Sequence, residues 1–83
     1  MFDPCFHQWQ LVRWENAKTH RYYEARIVKN IFEEWEVLCL WGGIGTRLGG
    51  SAVIPATSLD EAQTTLAKIA VRRTQRHYLQ VRP

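Results

Sequence analysis

Glu34–Trp41 (EWEVLCLW) is the stretch that decides the fold class. Read with the period-two alternation of an extended chain, it sets Trp35, Val37, Cys39 and Trp41 on one side and Leu38 and Leu40 on the other. Both faces are largely apolar, which predicts a strand in the middle of a sheet. Upstream, Arg21–Lys29 (RYYEARIVK) alternates in the same way, with Tyr23, Ala25 and Ile27 against Tyr22, Glu24 and Arg26. Gln8–Glu15 (QWQLVRWE) is rich in Trp, Leu and Val and reads as a further strand. The polar connectors Asn16–His20 and Asn30–Glu33 are too short for a parallel crossover, so these strands are antiparallel neighbours.

Downstream, all five glycines fall within Gly42–Gly50 (GGIGTRLGG), the composition of a tight hairpin turn. Ser51–Ala56 (SAVIPA) is a fourth strand. Pro55 cannot donate to a ladder, so that strand lies on an edge or ends there. Ser58–Glu61 (SLDE) is a capping box, in which Ser58 accepts from the Glu61 N–H and Glu61 reaches back to the Ser58 N–H. From there to Arg76 the period is helical. Leu59, Ala62, Leu66, Ile69 and Ala70 form one apolar stripe, with Glu61, Lys68 and Arg72 opposite and Arg76 on the flank. Arg73 and His77 fall on the stripe at its end, where a long stem lies on the core and its head reaches water. Tyr78–Val81 is either a short last strand or a tail. The pattern predicts a single α+β domain over residues 1–83, a twisted antiparallel sheet of four to five strands with one long helix packed across it.

A chain of 83 residues buries only about 60% of its unfolded surface, so its margin of stability is small. No apolar run has the length of a membrane span, and the N-terminal residues MFDPCFHQWQ lack the pattern of a secretory signal. Two cysteines, Cys5 and Cys39, make no disulfide framework, and a reduced, cytoplasmic setting is the expectation. Charge is unevenly spread. Residues 1–41 carry five Lys/Arg against six acids, a net of −1, whereas residues 42–83 carry six against Asp60 and Glu61, a net of +4. Two readings stand for that basic half: a surface for an anionic partner, or a solvated face with an excess of arginine.

Catalytic and cofactor chemistry find little support. Gly43-Ile44-Gly45 begins like a dinucleotide fingerprint, but Leu48 stands where the third glycine belongs and an extended stretch follows instead of a helix. Cys5, His7, His20, Cys39 and His77 have no metal-ligand spacing, and Cys39 among apolar neighbours reads as a core thiol. A chain this short leaves little room for a dry pocket, so neither an enzyme, nor a cofactor, nor a small-molecule substrate is expected. The glutamates Glu33, Glu34 and Glu36 read as a solvated surface. The aromatics are more telling. Trp41 sits where its strand enters the glycine turn, beside Arg47, and is either a stacking platform or a buried anchor below the turn.

From Trp41-Gly42-Gly43-Ile44-Gly45 outward the chain resembles the WGR domain, named for its Trp-Gly-Arg signature. Arg21-Tyr22-Tyr23 is similar to the aromatic opening of that family's second strand. Ser58 followed by Ala62 and Leu66 resembles its helix start, Arg73-Thr74 its Lys-Thr near the helix end, and Tyr78 the aromatic four residues later. The resemblance runs from about Leu11 to Tyr78 and implies an antiparallel sheet with one helix across it. In poly(ADP-ribose) polymerases the family's domain helps to hold a DNA end and docks on neighbouring domains. Small bacterial proteins carry it alone, and this chain is similar to those. The chain departs from the signature at one place, with Gly43 where the family has Arg.

The expectation is therefore a non-catalytic module that binds nucleic acid, DNA ranked ahead of RNA, through Trp41, Arg47, Arg73 and Arg76, with Lys68 and Arg72 adding field. The alternative is a protein-docking module that uses the same Trp41 surface without nucleic acid. No membrane partner is expected.

Overall fold

The computed structural model describes residues 7–46 and 49–82, residues 7–9 by their backbone alone. The elements follow the sequence pattern: β1 (His7–Asn16), β2 (Arg21–Lys29), β3 (Trp35–Gly43), β4 (Gly49–Ala56), α1 (Leu59–Gln75) and β5 (Leu79–Val81). They form one five-stranded sheet in the order β4-β3-β2-β1-β5, every pair antiparallel. The long helix carries the chain from β4 on one edge to β5 on the other. The tail thus forms a fifth strand, pairing Glu15 with Leu79 and Arg13 with Val81. β3 lies between β2 and β4, as its two apolar faces require, and β4, with Pro55, is an edge.

The core lies between the sheet and α1. Ala25, Ile27, Val37 and Cys39 from the two central strands are fully enclosed with Trp14, Ala62 and Leu66. Ala25 and Ala62 have no exposed surface, and their small side chains let the helix backbone approach the sheet. Leu59, Ile69 and Ala70 extend the same contact, so the stripe read from the sequence is the buried one. Cys39 is a free, buried thiol, as its neighbours imply; Cys5 lies outside the described residues.

Ser58 caps α1 with extended backbone (φ −157°), and its hydroxyl accepts from the Glu61 N–H at 3.1 Å. The return half of the expected box differs. The Glu61 carboxylate accepts from the N–H and the hydroxyl of Thr57, both at 3.0 Å, and not from the Ser58 N–H. Thr57 presents two donors to the two carboxylate oxygens, which one backbone N–H does not match. Removing the cap should be measurable on its own. In a denaturant titration Ser58→Ala should cost about 1 kcal/mol and Ser58→Gly only a few tenths.

Candidate functional site

Three chain segments meet at the end of the sheet where β2 begins and β3 ends. The β2–β3 register pairs Tyr23 with Trp41 and Arg21 with Gly43, so Arg21, Tyr23 and Trp41 stand on the face that α1 covers. The third segment is the end of the helix. Its last turn closes with the Tyr78 N–H donating to the Arg73 carbonyl (2.9 Å) and the His77 N–H to the Thr74 carbonyl (3.1 Å), with His77 left-handed at φ 68°. This is a Schellman closure, and it folds Tyr78 back beside Arg73. Asn16, a buried polar residue, fastens the assembly. Its amide donates to the Arg76 carbonyl (3.2 Å) and its oxygen accepts from the N–H groups of Lys18 and Thr19 (3.0 and 3.3 Å). The β3–β4 turn is tied in by the Ile44 N–H, which donates to the His20 carbonyl at 2.7 Å.

Arg21, Tyr23, Trp41, Arg73 and Tyr78 line the resulting cleft, a shallow depression of about 360 Å³ with no acid in its wall. Tyr23 and Trp41 stack, with ring centroids 5.8 Å apart and planes 12° apart, and Trp14 leans on Tyr23 from beneath the helix at 6.2 Å. The Arg73 guanidinium lies 4.3 Å from the Tyr23 ring centroid and 5.0 Å from that of Tyr78. Such cation–π contacts hold a guanidinium in place without satisfying its N–H groups. The Arg73 Nε is indeed buried and has no hydrogen-bond partner. A buried, unpaired donor on a fixed cation is a costly arrangement, and an oxyanion accepting from it removes that cost.

Trp41 takes a middle position between platform and anchor. It is half-buried, and its indole leans over Gly50: a Cβ at Gly50 would sit 2.8 Å from the indole Cε2, Cζ2 and Nε1. With Tyr23 on one side and Gly50 under it, the ring serves as cleft wall. Of the other residues singled out from the sequence, Arg73 is in the cleft, and Arg47 lies outside the described residues. Lys68, Arg72 and Arg76 are exposed along the helix, away from the cleft lining. The expectation that the Arg73 head reaches water is only half met, because Tyr23 and Tyr78 enclose it.

Sequence reasoning missed Arg21, Tyr23 and Tyr78 as site residues. The strand bounds read from the sequence do not give the register: closing the hairpin at Lys29 and Glu34 would set Tyr23 opposite Leu40. The structure closes it one residue later, at Lys29 and Trp35, and so pairs Ala25 with Cys39, Tyr23 with Trp41 and Arg21 with Gly43. Arg21 thus brings a cation from the neighbouring strand to the position where the signature arginine is missing, since opposed side chains lie about 4.5–5.5 Å apart at Cβ.

Gly43 itself is closely overlaid. A Cβ there would lie 2.8 Å from the Thr46 Oγ1, whose hydroxyl donates to the Gly43 carbonyl at 3.1 Å. Gly43→Arg should therefore cost about 0.5–1.5 kcal/mol, the worth of that hydrogen bond. In the background of Thr46→Ala the same substitution should cost almost nothing, which a double-mutant cycle by thermal unfolding reads directly.

Burial and the Cys39 thiol push the Tyr23 hydroxyl up to about 12 against the opposing charge of Arg73. The folded state therefore holds this proton after the unfolded chain, at about 10, has lost it. Stability should be fully present below pH 10 and fall between about pH 10 and 12. Absorbance titration near 295 nm should show one tyrosine ionising well above the ordinary value, and Tyr23→Phe should remove it.

The fold and this cleft describe an α+β module whose aromatic wall carries two arginines at one end of a five-stranded sheet. The family model of the WGR domain matches residues 7–83, and the chain belongs to that family. The family is a non-catalytic one. No curated protein and no solved structure matches the chain significantly. No helix among the described residues is long and apolar enough to cross a membrane.

Proposed function

We propose that the chain is a non-catalytic nucleic-acid-binding module, with DNA ranked ahead of RNA, that takes backbone phosphate in the cleft between Arg21 and Arg73. The observation that carries this reading is the Arg73 guanidinium, held over two tyrosine rings with its Nε buried and unpartnered. A phosphate oxygen supplies the missing acceptor, and Arg21 supplies a second fork to the same group. Trp41 and Tyr23 offer the apolar side of the cleft to a sugar or to the edge of a base. Lys68, Arg72 and Arg76 form an exposed row that adds attractive field, and Arg47 belongs to the same basic half. Membership of the family and the net +4 of residues 42–83 point the same way.

The test is fluorescence anisotropy with a short labelled duplex at about 50 mM and about 200 mM salt, where a sequence-independent Kd on the order of 10⁻⁴–10⁻⁶ M is expected. Arg21→Gln and Arg73→Gln should each weaken binding and lower the salt slope by about one unit. Substitution of Lys68, Arg72 or Arg76 should have smaller effects. Absence of binding at the lower salt, or a Kd indifferent to salt, would replace this reading with that of a protein-docking module.

A further inference from the structure

The far end of the sheet carries a feature that the nucleic-acid reading does not use. The β2–β3 hairpin tip presents Ile31 and Phe32 to solvent, 63% and 75% exposed. Six hydrogen bonds around Asn30 hold it. The Asn30 side-chain oxygen accepts from the N–H groups of Phe32 (2.9 Å) and Glu34 (3.0 Å), and its amide donates to Glu34 and Glu36 (3.4 and 3.3 Å). The Asn30 N–H donates to the Glu34 carbonyl and the Glu33 N–H to the Asn30 carbonyl, both at 2.9 Å. These bonds hold the backbone of the tip, on which Ile31 and Phe32 stand exposed, followed in the chain by Glu33 and Glu34. The backbone ordering of the tip has thus been met in the free molecule, which favours insertion into a pocket.

The same molecule carries a complementary receptor. The cleft of Tyr23, Trp41 and Tyr78 is aromatic, its rim bears Arg21 and Arg73, and the Arg73 Nε lacks an acceptor. We infer that the Phe32 tip of one copy docks in the aromatic–arginine cleft of a second copy, with the Glu33 or Glu34 carboxylate accepting from Arg73 and Arg21. Charge favours this pairing, because the tip carries Glu33 and Glu34 next to Phe32 and the cleft is rimmed by Arg21 and Arg73 with no acid in its wall. Tip and cleft lie at opposite ends of β2, about 26 Å apart at the strand rise, in a molecule 39 Å long. A copy therefore cannot fill its own cleft, and a head-to-tail contact leaves one free tip and one free cleft for further copies. Nucleic acid and a second copy compete for one cleft, so a short duplex disperses the chains.

The contact is small, so association should appear in sedimentation velocity only toward about 1 mM protein at about 50 mM salt, as a series growing with concentration. Phe32→Ser and Arg73→Gln should each weaken it by at least about tenfold. Mixing the two variants is the sharper experiment. Phe32→Ser keeps its cleft and Arg73→Gln keeps its tip, so the mixture should form one-to-one heterodimers and stop there. Should Arg73→Gln fail to fold, Arg21→Gln, which alters an exposed side chain, takes its place. A wild-type chain that stays monomeric throughout, association indifferent to Phe32→Ser, or a mixture that forms no dimer each overturns the inference, whether or not the protein binds nucleic acid.

Discussion

Leu66→Ala should lower the free energy of unfolding by about 2–5 kcal/mol in a denaturant titration. Leu66 is 5% exposed at the middle of the helix stripe, packed with Ala25, Ile27, Val37 and Cys39. The loss has two parts, the transfer of the side chain and the cavity that it leaves. The cavity is not easily closed. Ala62 is one turn away, Ala25 lies in the sheet, and neither has atoms to move into the gap. Against a total of about 5–15 kcal/mol for a native domain, the variant should sit near the edge of folding at 37 °C. A loss under about 1 kcal/mol would mean that the helix docks through another stripe.

The second large effect is expected at Gly50. A methyl group there meets the Trp41 indole at 2.8 Å, and the ring, wedged beside Tyr23, must lift. Gly50→Ala should cost about 1–3 kcal/mol, as overpacking does. It should also change the near-ultraviolet circular dichroism, which reports the Tyr23–Trp41 stack, and reduce affinity for the duplex. Gly45→Ala is the control. Gly45 has φ 76° and open space around its missing Cβ, so alanine strains the backbone there and leaves the stack alone. Equal spectral changes in the two variants would show that Trp41 does not rest on Gly50.

The sheet and helix were legible because each is written in a local pattern. Arg21–Lys29 alternates over the whole of β2, and Ser58, the helix stripe and the last-turn arginines delimit α1 to within a residue. Pro55 marked the edge strand and the two apolar faces of Glu34–Trp41 marked an interior one. The site was legible only in part. Trp41 and Arg73 stood out by residue type, but their meeting depends on the β2–β3 register and on the Schellman closure that returns Tyr78 to Arg73. That closure uses His77 in the left-handed region where glycine is the usual signal, so nothing in the sequence marked it. Arg21 was hidden for a related reason. Its significance comes from Gly43 opposite, which only pairing reveals. The remaining cations, Lys68, Arg72 and Arg76, share a basic composition with the cleft but not its location.

The central claim is that Arg73, between Tyr23 and Tyr78, is where an anion binds. Its Nε–H is unpaired in the free protein and should gain an acceptor when nucleic acid is added. The most direct measurement is therefore an NMR titration of the arginine Nε–Hε and tryptophan Nε1–Hε1 signals of the full chain with a short unlabelled duplex at about 50 mM salt. The account predicts that the Arg73 signal moves downfield and saturates, with Arg21 and the Trp41 indole shifting along the same isotherm. Shifts confined to Arg72 and Arg76 while Arg73 stays in place would contradict it.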